Sequence, residues 1–179
     1  MVLRELSSGK RPLSPTTKHR WKLRTAKLAR APLFGWLMGL AVRLTVPRQR
    51  VGVALVALNE ANEVFMLRHV FHPYFEWGLP GGWLKKNEAP EAGVLRELKE
   101  ETGLTAVLGS AVSVSHSLHP PHIGIAYAGQ VQMEQIQLSH EIIEACWFPL
   151  DSLPAPISPH TKQAIHAAVQ VRLGEQFAP

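Results

Sequence analysis

Glu97, Glu100 and Glu101 stand three and four residues apart, which places them on one face of a helix, and Glu88 lies just upstream. Crowded carboxylates repel one another unless something neutralises them. A hard divalent cation with oxygen ligands does so, and Mg²⁺ is the usual one where phosphates are substrates. The surrounding residues build that helix. Pro90 suits its first turn, where a missing N–H costs little. Gly103 suits the left-handed residue that ends it. Val94, Leu95 and Leu98 form its apolar stripe. A solvated acidic face would account for the glutamates alone. It does not account for Leu79-Pro80-Gly81-Gly82 just before them, a rigid turn and two glycines that let backbone approach a ligand closely.

The stretch from Gly82 to Leu104 resembles the Nudix box, G-x5-E-x7-R-E-U-x-E-E-x-G-U, where U is aliphatic. Gly82, Glu88, Arg96, Glu97, Leu98, Glu100, Glu101, Gly103 and Leu104 match every fixed position of this 23-residue motif. The resemblance implies a Nudix hydrolase that uses Mg²⁺ or Mn²⁺ to cleave a nucleoside diphosphate linked to another group. By position it implies Glu97 and Glu101 as metal ligands, Glu100 as a further ligand or an orienting base, and the Gly82 carbonyl as an additional ligand. Arg96 then holds Glu100 or Glu88 in place. Family members often take another glutamate from a loop beyond the box. Glu141 in Ser139-His140-Glu141-Ile142 is the first candidate and Glu144 the second, although an exposed strand position is the plainer reading of Glu144.

The elements that must hold these residues follow from periodicity. Val51 to Leu58 is a β-rich run with little polarity, as expected of a strand buried on both faces. Asn59-Glu60-Ala61-Asn62 is a turn, and Glu63 to His69 a second strand; the two read as a hairpin. A loop over 70–76 and Trp77-Gly78-Leu79-Pro80 lead into the box. Beyond it, strands are predicted over 106–118, with weak alternation, and over 123–133 and 142–149. Ser158 reads as an N-cap and Pro159 as the first residue of a closing helix that runs to about Leu173 and buries Ile165, Ala168 and Val169. The expected fold class is α/β, an α/β/α sandwich with a mixed sheet of the Nudix type, plus a basic N-terminal helical arm.

Charge separates the arm from the body. Residues 1–50 hold 12 Lys and Arg against one acidic residue, a net +11, whereas 51–179 carry a net −6. This divides the chain into an arm, 1–46, and a Nudix hydrolase domain, 47–179. Lys18 to Leu44 reads as helical with a break at Pro32, basic in its first half. The stretch from Ala31 to Val42 is uncharged, and its 12 residues are too few to span a bilayer. Packing on the body or on a second copy, as in a homodimer, is favoured over a membrane surface contact; Trp21 and Trp36 would anchor the latter. Nucleic acid contact through the basic cluster is a further alternative without a stacking motif behind it. A signal peptide fits poorly, because some thirty residues precede the apolar segment. The single cysteine, Cys146, excludes an intrachain disulfide and suits a cytoplasmic location.

Substrate identity is less strongly marked. Arg68, His72, Trp77 and His119 are the expected substrate contacts, although Trp77, with Tyr74 and Phe75, suits packing equally well. The spacing of the histidines matches no zinc pattern. In the family a proline some sixteen residues past the box accompanies ADP-ribose hydrolysis, and Pro120 occupies that place. The expectation is ADP-ribose or a nucleotide sugar, with nucleoside triphosphates or RNA 5′ ends as enzymatic alternatives. A nucleotide sensor of the same fold is the non-enzymatic one, disfavoured because every box glutamate is present.

Overall fold

Eight nearly uninterrupted apolar residues make β1 a strand with two dry faces. The computed structural model, which describes residues 32–72, 74–132 and 135–176, shows how both are covered. In chain order the elements are α1 (Pro32–Thr45), β1 (Arg50–Ala57), β2 (Glu63–His69), β3 (Trp77–Gly78), β4 (Gly81–Trp83), α2 (Pro90–Thr102), β5 (Thr105–Leu118), β6 (Pro121–Gln132), β7 (Ile142–Pro149) and α3 (Pro159–Gln176). Val53, Leu55 and Ala57 of β1 join Phe65 and Leu67 of β2 in a core with Val94 and Leu98 of α2. Val56 and Leu58 join Val64 and Met66 in a second core with Ile165 and Ala168 of α3. Alternate residues of the same strands thus feed two helices on opposite sides, the α/β/α layering expected.

Two sheets share the middle layer. One has the order β4-β1-β6-β5 and is mixed, since β1 runs parallel to β6 and antiparallel to β4. The other is antiparallel, β3-β2-β7. The expected β1–β2 hairpin is corrected here. The turn at 59–62 closes with a single bridge, Leu58 to Val64, and the strands then diverge into different sheets. The reason lies in the short strands before the box: β3 pairs with β2, β4 pairs with β1, and buried Leu79-Pro80 passes from one sheet to the other.

The caps fall where composition places them. Gly103 adopts a left-handed φ of 74° and returns its N–H to the Lys99 carbonyl, closing α2. The Ser158 hydroxyl accepts the Thr161 N–H at 3.0 Å, capping α3, which extends three residues past Leu173 to Gln176. In the arm, the break at Pro32 is the first residue of α1, and every described side chain on that helix is exposed. The helix expected over 18–31 lies outside the described residues. The chain divides into two compact units between Arg48 and Gln49. Among the described residues no helix is long and apolar enough to cross a membrane.

Candidate functional site

Strand β4 and helix α2 bring the box side chains together. Leu84 N–H donates to the Val51 carbonyl and Leu55 N–H to the Pro80 carbonyl, which fixes the Gly81-Gly82 turn against β1. A Cβ on Gly81 would strike the Val53 carbonyl, so only glycine lets β4 lie this close. A Cβ on Gly82 would stand 2.5 Å from the Glu97 carboxyl carbon, so glycine there opens the space that the carboxylate fills.

Arg96 is the hub of the cluster. Its Nε and Nη2 grip Glu88 at 2.7 and 2.9 Å, its Nη1 donates to Glu97 at 2.7 Å and to Glu100 at 2.9 Å, and its Nη2 also reaches the Trp83 carbonyl at 3.1 Å. The forked guanidinium suits such multiple acceptance, which a point-charge ammonium could not reproduce. The expected hold on Glu100 or Glu88 is therefore a hold on both, and on Glu97. Hydrogen bonds from Arg96 and the Lys85 N–H depress the Glu88 carboxyl to about 2. Those of Lys85 and Arg96 also lower Glu100. Lys85 was not among the expected site residues; its Nζ lies 3.0 Å from Glu100.

Glu101 is the buried member, 7% exposed. Its Oε2 accepts the Gly81 N–H at 3.0 Å, and its Oε1 lies 3.8 Å from His69 Nδ1. Burial pushes its carboxyl up to about 8, and the charges of Glu97, Glu141 and Glu100 add to the effect. His69 is driven down to about 4 by burial and by His72, whose ring centre is 4.6 Å away. Two unlike groups whose charged forms are both disfavoured lie side by side. Sequence reasoning missed His69 as a site residue, since a histidine ending a buried strand carries no motif.

The loop candidate falls beside the same cluster. Ser139 N–H donates to the Glu101 carbonyl, and Val70 N–H to the Glu141 carbonyl, so the 137–141 loop is tied to the end of α2 and to the end of β2. The Glu141 charge reaches Glu101. Glu144 sits on β7 opposite Arg68 and accepts the Cys146 thiol at 3.3 Å.

Among the described residues no three His, Cys, Asp or Glu side chains stand at metal-ligand spacing, and Glu97 and Glu100 are bonded to Arg96. The donor set nevertheless fits a hard divalent cation. Glu97, Glu101 and the Gly82 carbonyl offer only oxygen, and the buried Glu101 has no cationic side chain bonded to it.

A cleft of about 720 Å³ opens beside the cluster and shares Gly81, Gly82 and His69 with it. His72, Trp77, His119 and Pro120 line it, together with Trp83 and Ser115. Arg68 does not; it is paired with Glu76 at 2.8 Å. Trp77 lines the cleft and packs edge-on to Phe148 at 4.7 Å.

With this geometry in place, the comparisons are direct: the NUDIX domain family matches residues 48–168. The chain belongs to the NUDIX family. An RNA pyrophosphohydrolase of Zymomonas mobilis subsp. mobilis is 41% identical over 64 residues, covering 36% of this chain and 41% of that protein. One of Brucella ovis is 37% identical over 94 residues, covering 45% and 53%. The chain thus spans about half the length of the curated relatives it matches. The MutT NUDIX hydrolase from Burkholderia pseudomallei superposes with a TM-score of 0.58 at 23% identity, over 68% of this chain and 98% of that one, which shows the shared NUDIX fold.

Proposed function

We propose that this NUDIX chain is a pyrophosphohydrolase that, with Mg²⁺ or Mn²⁺, splits a nucleoside diphosphate linked to another group and releases a nucleoside monophosphate. ADP-ribose or a nucleotide sugar is the preferred substrate class. One observation carries the reading. A complete set of box carboxylates is folded around Gly82 at the edge of a cleft whose lining, among the described residues, contains no Lys, Arg, Asp or Glu. Such a division suits a ligand with one strongly anionic part and one uncharged part. Pro120 lies in the turn between β5 and β6 and also faces the cleft, which agrees with the ADP-ribose preference.

In this reading Glu97, Glu101 and the Gly82 carbonyl hold the metal, and Glu100 stays ionised nearby. The ion would screen the diphosphate oxygens and acidify a bound water. Arg96 keeps Glu88, Glu97 and Glu100 in place. Glu141, exposed and beside Glu101, is the general base, and His72 and His119 contact substrate from the cleft wall.

A second reading, hydrolysis at RNA 5′ ends, is favoured by the name of the curated relatives and by the net +11 of residues 1–50. A cleft without fixed cations counts against it. The deciding assay measures product release from ADP-ribose, nucleotide sugars, dinucleoside polyphosphates, nucleoside triphosphates and triphosphorylated RNA, with each metal. Selective turnover of ADP-ribose or a nucleotide sugar is expected. Preference for RNA would install the second reading, and silence from a folded, metal-binding protein would favour a nucleotide sensor.

A further inference from the structure

Ala106, Leu108 and Val112 pack on the cores, but from Ser113 onward strand β5 faces the wrong way for a core strand. Its Val114 and Leu118 are 68% and 65% exposed, while Ser113, Ser115 and Ser117 on the alternate face turn into the cleft. A sheet that hides hydroxyls and shows solvent its aliphatic groups gains nothing from burial, so the inward face has another use.

The registers show what that face looks like. Ser115, Gly124, Gly52 and Trp83 lie side by side across β5, β6, β1 and β4. The next row on the same face is Ser113, Ala126, Ala54 and Gly81. The middle of the sheet is therefore a floor of two glycines and two alanines, roughly 5 by 7 Å between Cα positions, with no side chain larger than a methyl group. Trp83 and His122, edge-on to each other at 5.0 Å, close the Gly52 end of this floor, each with a ring carbon 3.7 Å from where a Gly52 Cβ would lie. On the other side the Ser115 hydroxyl leans over Gly124, where an added Cβ would lie 2.8 Å from it.

The polar groups at this floor are available. Ser113 and Ser115 have no hydrogen-bond partner for their hydroxyls among the described residues. His122 Nδ1 lies 2.7 Å from the Pro120 carbonyl and donates to it, which leaves Nε2 as an acceptor in the neutral ring. A flat floor open at Gly124, an aromatic wall and an edge of unpaired donors and acceptors match an uncharged planar heterocycle.

We infer that the floor at Gly124, bounded by the Trp83 and His122 rings, seats the nucleobase of the substrate, and that Ser113 and Ser115 read its edge. This rests on the proposed hydrolase reading for what lies beyond the base. Because the floor ends at Gly81 and Trp83, a base seated there directs its phosphates toward Gly82, Glu97 and Glu101.

The test separates the slot from the chemistry. Binding of adenosine, guanosine, uridine, cytidine and ribose 5-phosphate to the full chain is measured by calorimetry and ligand-detected NMR, without metal. The wild type is expected to prefer one nucleoside over ribose 5-phosphate. Ser113→Ala and Ser115→Ala should each weaken it up to about tenfold, the effect of one net hydrogen bond. Gly124→Val should abolish it by filling the floor. In turnover, the serine variants should raise KM for the preferred base with kcat kept. Equal binding of all nucleosides by wild type and variants, or binding of ribose 5-phosphate alone, overturns the slot even if the protein is a hydrolase. Selective, serine-dependent nucleoside binding without turnover of any diphosphate upholds the slot and overturns the hydrolase reading instead.

Discussion

Gly82 and Glu97 share a space that holds only one of their side chains: a methyl group on Gly82 would stand 2.5 Å from the Glu97 carboxyl carbon. Gly82→Ala should therefore push Glu97 aside while leaving the fold in place. An ångström-scale displacement of a reacting group costs about a hundredfold. Steady-state turnover with Mg²⁺, alongside a thermal melt, measures it. Unchanged turnover would show that the Glu97 carboxylate need not occupy that space.

Glu101→Gln keeps an acceptor for the Gly81 N–H and removes a buried charge. The melting temperature in metal-free buffer should hold or rise. With Glu101 as the proposed metal ligand, loss of its charge should lower turnover by on the order of a thousandfold. Near-wild-type turnover would remove Glu101 from the site.

Arg96→Gln disconnects three glutamates at once, and the effect should depend on pH in a defined sense. Glu88 has an ordinary value of 4.5 and is held at about 2 in the fold. A depressed carboxyl contributes stability that is complete above 4.5 and disappears as pH falls toward 2. The gap in urea midpoint between wild type and variant should be widest near neutral pH and should close on acidification. A gap that widens in acid would contradict the assignment of Arg96 as the partner of Glu88.

Glu141→Gln and Glu144→Gln distinguish the two loop candidates. A general base accounts for at least about a hundredfold, so the first substitution should lower kcat by that factor. The second, whose side chain accepts a hydrogen bond from the Cys146 thiol and is exposed, should stay within roughly twofold, as surface substitutions usually do. The reverse pattern would transfer the role to Glu144.

The box helix was legible because Pro90, the apolar Val94 and Leu98 and Gly103 all specify one element, although Leu95, read into the same stripe, is exposed. The arginine hub was only half legible. The motif places Arg96 near the glutamates, but its three-way grip depends on how β4 folds back over α2. The hairpin reading of β1 and β2 failed for a reason local sequence does not hold: Leu79-Pro80 sends the chain into a second sheet, so each strand finds its partners elsewhere. Strand β5 showed only weak alternation because Ala106, Leu108 and Val112 pack on the cores, whereas Val114 and Leu118 face outward and Ser113, Ser115 and Ser117 face the cleft. A pattern that assumes a dry interior cannot report a face meant for a ligand.

The loop that carries Glu141 hangs from the end of α2 by two amides, Gln137 N–H on the Thr102 carbonyl and Ser139 N–H on the Glu101 carbonyl. Those carbonyls belong to the last turn of the helix, which has no further residues of its own to bond them. The Gln137 and Ser139 amide protons exchange with solvent when these bonds to the helix open. Hydrogen exchange at 137 and 139 therefore times the moment at which Glu141 swings away from a Glu101 still held by the Gly81 N–H.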